Sequence, residues 1–280
     1  MKKLLFFFCI TAFFSIQVMN GQSRVDSALS WMNDAFESAQ SETTPQDAYY
    51  LGRAVAANIL SVYRPYTGNP ELTRYLNLIC QAIVINSPNP VLFNGYYVLI
   101  LDSPEFNAFA TPGGHIFITR GLVEAATSED MLAAVIAHEV AHIIMEHGIK
   151  MIDEMRFAED ATAIAGRAAN FSGNADVLLL YRNSVANLAD TMMKNGYSQT
   201  QEFEADRTAA LLLAASGYNP GALVEMLRML QRVQSSQRGG FNTTHPLPAE
   251  RIANVQQTIN RYRVQDTSTY RARRFLNKVN

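Results

Sequence analysis

Apolar residues recur at three- and four-residue steps through the first third of the chain. Val25, Leu29, Trp31, Met32 and Phe36 form one such series, and Leu51, Ala54, Val55, Ile59 and Leu60 a second. That spacing lines one face of a helix. Pro70 opens a third helix, at a position where its missing N–H costs little. The pattern then changes at Ser87–Pro88–Asn89–Pro90, a turn cluster that breaks any helix. Beyond it, Val91–Phe93, Tyr96–Leu101, Asn107–Ala110 and His115–Thr119 are rich in β-branched and aromatic residues, with the Pro112–Gly113–Gly114 turn before the last. These stretches predict one small sheet of three strands joined by hairpins.

Helical periodicity resumes at Ser128. Its hydroxyl and the acids Glu129 and Asp130 suit a helix start, and the helix is expected to reach about His147, with Gly148 ending it. Further helices are predicted over 151–170, 176–195, 197–216, 219–235 and 248–263, with breaks at Asn170–Gly173 and Gly217–Pro220. The fold class is therefore α+β and mainly α-helical, with a small, mostly antiparallel sheet beside the helix that starts at Ser128. His147 is placed near a helix C-terminus, where a cation is favoured. The basic tail Arg271–Arg273–Arg274 reads as a solvated surface end, and His115 as a strand surface residue.

The chemistry lies in His138–Glu139–Val140–Ala141–His142. Residues four apart on a helix differ by about 40° around its axis, so His138 and His142 can each offer an imidazole nitrogen to one metal. Glu139 projects roughly 100° away, where it can reach a water at the metal without ligating the ion. Val135, Ile136, Ala137, Val140, Ala141, Ile143 and Ile144 bury this helix on several sides. Two imidazoles and a carboxylate in such surroundings call for a compensating cation or hydrogen-bond network. A catalytic zinc site takes three protein ligands and keeps an open position. The third ligand is expected from Gln201–Glu202–Phe203–Glu204–Ala205–Asp206, where Glu202 and Asp206 share a face and Glu204 points elsewhere. One acid could bind zinc while the other holds a ligand imidazole.

Length and charge fit this picture. A chain of 280 residues, 48% hydrophobic, can bury one sizeable core, and a net charge of −2 gives no footing for nucleic acid. Lys2 and Lys3, the apolar run Leu4–Phe14 and the small residues Ser15, Gly21 and Ser23 read as a secretory leader over residues 1–21, cut near 21–23. The run is shorter than the ~20 residues of a bilayer span. Residues 24–280 then form a single metallopeptidase domain. Without the leader, Cys80 is the one cysteine left, and its apolar neighbours make it a buried structural thiol.

Four ordered segments carry a family resemblance: Asn107–Ala110 through Gly113–Gly114 to Gly121–Leu122, His138–His142, Glu202–Asp206, and Thr244–His245–Pro246 with Arg251–Ile252. Across about residues 70–260 the chain resembles the HtpX / CAAX prenyl protease family of zinc metallopeptidases, a gluzincin group. The likeness is to its soluble periplasmic BepA- and LoiP-like branch. The branch without a tetratricopeptide domain is expected, because few residues follow Ile252.

The resemblance implies one Zn2+ held by His138, His142 and Glu202, with Glu139 as general base and Asp206 as the acid holding a ligand imidazole. His245 and Arg251 fall at positions associated with the substrate side of the cleft and join Glu139 in the catalytic set, with His245 read either as a latch on zinc's open position or as a donor to the developing oxyanion. Gln199 departs from the family, where an arginine often follows the Tyr–Ser pair. The expected function is a zinc endopeptidase of the cell envelope. It would be periplasmic, with possible outer-membrane or peripheral membrane association, and would act on polypeptides such as misfolded envelope proteins. Substrate is expected to add to the sheet edge along His115–Thr119. The alternative is a catalytically silent exported zinc-binding chaperone or binding protein, against which the intact Glu139 argues.

Overall fold

The first helix forms because its start is closed chemically. Thr44 accepts a hydrogen bond from the Asp47 N–H, and the Asp47 carboxylate accepts from the Thr44 N–H, a reciprocal capping box followed by Pro45. The computed structural model describes residues 43–151, 185–234, 245, 248–262 and 268–279. The expected leader, the helix around Val25–Phe36, residues 152–170 and residues 176–184 lie outside the described residues. Every element below belongs to the unit Thr44–Asn280.

In order, these are helices α1 (Pro45–Val62) and α2 (Pro70–Val84), strands β1 (Tyr97–Leu101), β2 (Ala108–Thr111) and β3 (His115–Thr119), the short α3 (Arg120–Ala125), α4 (Glu129–Ile144), α5 (Gln199–Ala215), α6 (Gly221–Gln234), α7 (Pro248–Ile259) and α8 (Ser268–Val279). The α+β, mainly helical class and the sheet beside the HExxH helix are as expected. The sheet itself differs in two respects. Its order is β1-β3-β2, with β2 and β3 antiparallel through the glycine turn and β1 parallel to β3. Only one of the pairings is therefore a hairpin, and residues 91–93 lie outside it. Consequently β3 is the central strand and has no edge to offer, which corrects the expectation that substrate adds along His115–Thr119.

The turn needs its glycines. Gly113 and Gly114 adopt φ of 77° and 108°, and a Cβ on Gly113 would come 2.4 Å from Tyr49 Cα. They pack against the chain's own backbone. The outer side of β1 is covered: Tyr66 N–H donates to Ile100 O, Asp102 N–H to Arg64 O, and the Asn77 amide pairs with both N–H and C=O of Val98. The outer side of β2 carries the Tyr197 hydroxyl, which donates to Ala110 O at 3.4 Å.

Alternation sorts the sheet into two faces. Val98, Ile100, Ala108, Ala110, Ile116 and Ile118 join the main core with α2, α4, α5 and α6. Leu99, Leu101, Phe109 and Phe117 pack with α1 and with helical residues 185–194. Helix α4 is buried from Glu129 through Ile143, so polar side chains on it need partners inside the protein. Ser128 caps it as expected, accepting from the Met131 N–H at 3.1 Å. Its two acids are bound from the far end of the chain. Arg271 Nε donates to Asp130 at 2.8 Å and Arg274 Nε to Glu129 at 3.0 Å, while Tyr75 and Tyr218 hydroxyls also donate to Glu129. The basic tail is thus anchored on α4, and Arg271 is buried. Among the described residues, no helix is long and apolar enough to cross a membrane.

Candidate metal centre

Helix α4 presents His138 and His142 together, as their spacing requires, with Nε2 atoms 3.1 Å apart. Helix α5 packs against α4 and brings Glu202 to them. Its carboxylate oxygens lie 3.4 Å from His138 Nε2 and 3.5 Å from His142 Nε2. Donor atoms on a zinc tetrahedron with bonds of 2.0–2.1 Å are about 3.3–3.4 Å apart. Each imidazole thus lies at about that spacing from one of the two Glu202 oxygens. His245 joins them, with Nδ1 2.8 Å from Glu202 Oε1 and 3.3 Å from His138 Nε2. One donor atom from each of the four lies within 4.8 Å of every other, and all four residues are buried.

Glu139 supplies the clearest sign of what the cluster is for. It is fully buried, and neither carboxylate oxygen makes a hydrogen bond to the protein. Burial pushes its pKa up, against the attraction of His245 and His138. A buried carboxylate without hydrogen bonds is costly unless a cation or an activated water completes its surroundings.

The ligand candidates are in usable protonation states. Burial holds His142 well below the ordinary histidine range, leaving a neutral imidazole. Burial opposes the charge on Glu202, but His245 and Arg251 outweigh it and hold the carboxyl well below its usual range. His138 is the exception. Burial and Arg251 work against its charge, yet Asp206 and Glu202 raise it to about 9, so a cation here competes with a proton. The buried acids Glu139, Glu202 and Asp206 outnumber the one arginine among them, Arg251. Carboxylate and imidazole donors gathered at one buried point suit a divalent metal of zinc's preferences.

Asp206 and Arg251 stand behind the ligands. Asp206 Oδ1 faces His138 Nδ1 at 3.1 Å, and Arg251 grips Asp206 through Nε and Nη2 at 2.8 and 2.7 Å. Arg251 Nη1 lies 2.9 Å from Glu202, and its whole side chain is buried. Burial opposes ionisation of Asp206, but Arg251 brings its pKa down to about 2. The Gln199 amide donates to Glu250, so a neutral contact stands where the family often has arginine.

Three residues of the site escaped the sequence reading. His147 is fully buried and is no free helix-end cation: its Nδ1 lies 2.8 Å from His142 Nδ1. Glu204, on the opposite side of α5 from Glu202, meets His147 Nε2 at 3.2 Å. Tyr197 stacks on the His142 ring at 4.0 Å. The cause is backbone geometry. Helix α4 ends at Ile144, earlier than expected, and Glu146 takes a left-handed φ of 55°, turning His147 back onto the preceding turn. Gly148 does not supply that turn. His115 stays outside the cluster, stacked on Tyr49.

A family model described as Peptidase family M48 matches residues 70–259. The beta-barrel assembly-enhancing protease of Escherichia coli (strain K12) is 27% identical over 202 residues, covering 71% of this chain and 41% of that protein. Metalloprotease LoiP of the same strain is 29% identical over 189 residues, covering 67% and 71%. The mitochondrial metalloendopeptidase OMA1 of Schizosaccharomyces pombe is 27% identical over 160 residues, covering 56% and 45%. The chain thus spans about two fifths of the length of the beta-barrel assembly-enhancing relative.

Proposed function

The chain belongs to peptidase family M48, and on that premise we propose that it is a zinc-dependent endopeptidase that hydrolyses polypeptides in the cell envelope. The observation that carries the proposal is the buried Glu139 carboxylate, without a hydrogen bond, beside the His138, His142 and Glu202 donors. A structural metal site has no use for that carboxylate, which weighs against a silent zinc-binding chaperone.

Zinc held by His138, His142 and Glu202 would act as a Lewis acid toward water and the scissile carbonyl. Glu139 takes a proton from the attacking water and later passes it to the leaving amine. Asp206 orients His138 and is itself fixed by Arg251, so Arg251 contributes by holding Asp206 and Glu202 in place. His245 sits among the donors as a fourth candidate and acts as a latch: with its imidazole on the cluster, the position needed by water is filled. An extended substrate pairing with the outer side of β2, next to α4, would have to displace the Tyr197 hydroxyl from Ala110 O and the Asn107 side chain from the Ala108 N–H.

The leader read from Lys2, Lys3 and Leu4–Phe14 supports export, and the likeness to a protease named for β-barrel assembly supports envelope polypeptides as substrates. The test is cleavage of an unfolded casein-type substrate by the purified protein. Activity should disappear with a zinc chelator and return on adding zinc; cleavage indifferent to the chelator would sink the proposal.

A further inference from the structure

We infer that His147, backed by Glu204, is a positioning residue that fixes the tautomer and orientation of His142 as a metal ligand. The inference rests on the reading of His142 as a ligand through Nε2. His142 and His147 meet Nδ1 to Nδ1 at 2.8 Å, and His147 Nε2 meets Glu204 Oε2 at 3.2 Å. A close contact between two ring nitrogens requires a proton on one and a lone pair on the other. His142 Nε2 faces Glu202 and His138, where a ligand must present a lone pair, so its proton belongs on Nδ1. His147 Nδ1 must then accept. Its own proton sits on Nε2 and is donated to Glu204, which as a carboxylate can only accept. A single assignment satisfies every atom in the series Glu204, His147, His142.

The two histidine ligands are thus supported by different means. His138 has a carboxylate directly on its Nδ1, from Asp206. For His142 the carboxylate acts one imidazole further away. Both acids come from α5, which also supplies Glu202, so one helix sets one ligand and both supports. Tyr197, stacked at 16° to the His142 ring, limits its tilt while His147 limits its rotation.

The experiment measures zinc affinity by competition with a chromophoric chelator and records the visible spectrum of the cobalt(II)-loaded protein. His147→Phe removes the acceptor but keeps the bulk; His147→Gln restores a carbonyl that can accept from His142. His147→Phe should weaken zinc binding about 10- to 100-fold and shift the cobalt spectrum, and His147→Gln should recover most of both. Glu204→Leu, a change at a partly exposed position, should weaken binding several-fold and serves if His147→Phe does not fold. A parent-like affinity and an unchanged cobalt spectrum in His147→Phe or in Glu204→Leu would overturn the inference while leaving the ligand set standing. A parent protein that binds no zinc would instead bring down the ligand set, and this inference with it.

Discussion

Glu139 Oε1 and His245 Nε2 face each other at 3.8 Å, and neither oxygen of the glutamate makes a hydrogen bond. They come from sequence positions over a hundred apart. Their roles predict opposite consequences when each is removed.

Glu139→Gln should keep the fold and the metal, because this side chain is not among the donors, yet lower cleavage by about 10²–10⁴-fold. The neutral amide also relieves a buried carboxylate whose ionisation is already disfavoured. The metal-free variant should therefore melt at or above the parent temperature. Elemental analysis, a casein assay and calorimetry together check this; parent-like cleavage by the variant would show that another group is the base.

His245→Ala should raise basal cleavage, since its imidazole lies within the donor cluster. If nine tenths of the resting protein is latched, release gives about tenfold. A transition-state donor would instead lose about 10²–10³-fold. A fall in the rate constant of purified, zinc-loaded protein would therefore refute the latch.

Metal removal should destabilise the fold by linkage. With free zinc at 100 times its dissociation constant, stability rises by about 2.7 kcal/mol over the metal-free chain. Glu202→Ala should abolish most of that gain. Urea titrations with zinc and with chelator measure it, and identical midpoints for the parent in both would contradict metal binding at the core.

The anchoring of α8 predicts unequal effects of two arginines. Arg271 and Asp130 are both largely buried, so Arg271→Ala leaves a buried carboxylate short of its cation and should cost about 3 kcal/mol. Arg274 is 57% exposed, and its partner Glu129, though buried, keeps the Tyr75 and Tyr218 hydroxyls as donors, so its removal should cost less, about 1 kcal/mol. Denaturant midpoints that rank the two variants the other way would show that α8 is not held through Asp130.

Cys80 is fully buried, and burial pushes its thiol up to about 12. It should resist iodoacetamide at pH 8 in the native protein and react once urea unfolds it. Peptide mapping that finds Cys80 alkylated under native conditions would contradict its burial.

Much of the site could be read from the chain because it depends on helical geometry over a few residues. Four-residue spacing is enough to put His138 beside His142 and Glu202 beside Asp206, and Ser128, Asn69 and Thr44 close helices through bonds to residues three positions on. The apolar flanks of His138–His142 likewise foretold burial of the helix on several sides, and the structure buries it from Glu129 through Ile143. Contacts between distant segments were another matter. Parallel pairing of β1 with β3 leaves no mark in either strand, since alternation is the same for both pairing senses. It was that pairing which put β3 at the centre of the sheet. His147 lies five residues from His142, but it meets that ring only because Glu146, a residue with no special preference for it, takes a left-handed turn. Arg271 and Arg274 look like a solvated tail until α8 packs against α4 and the buried acids at its start demand cations. Sequence periodicity determined which side chains share a face. Which faces meet was decided by tertiary packing, because burying the polar groups of α4 is tolerable only where distant segments supply their partners.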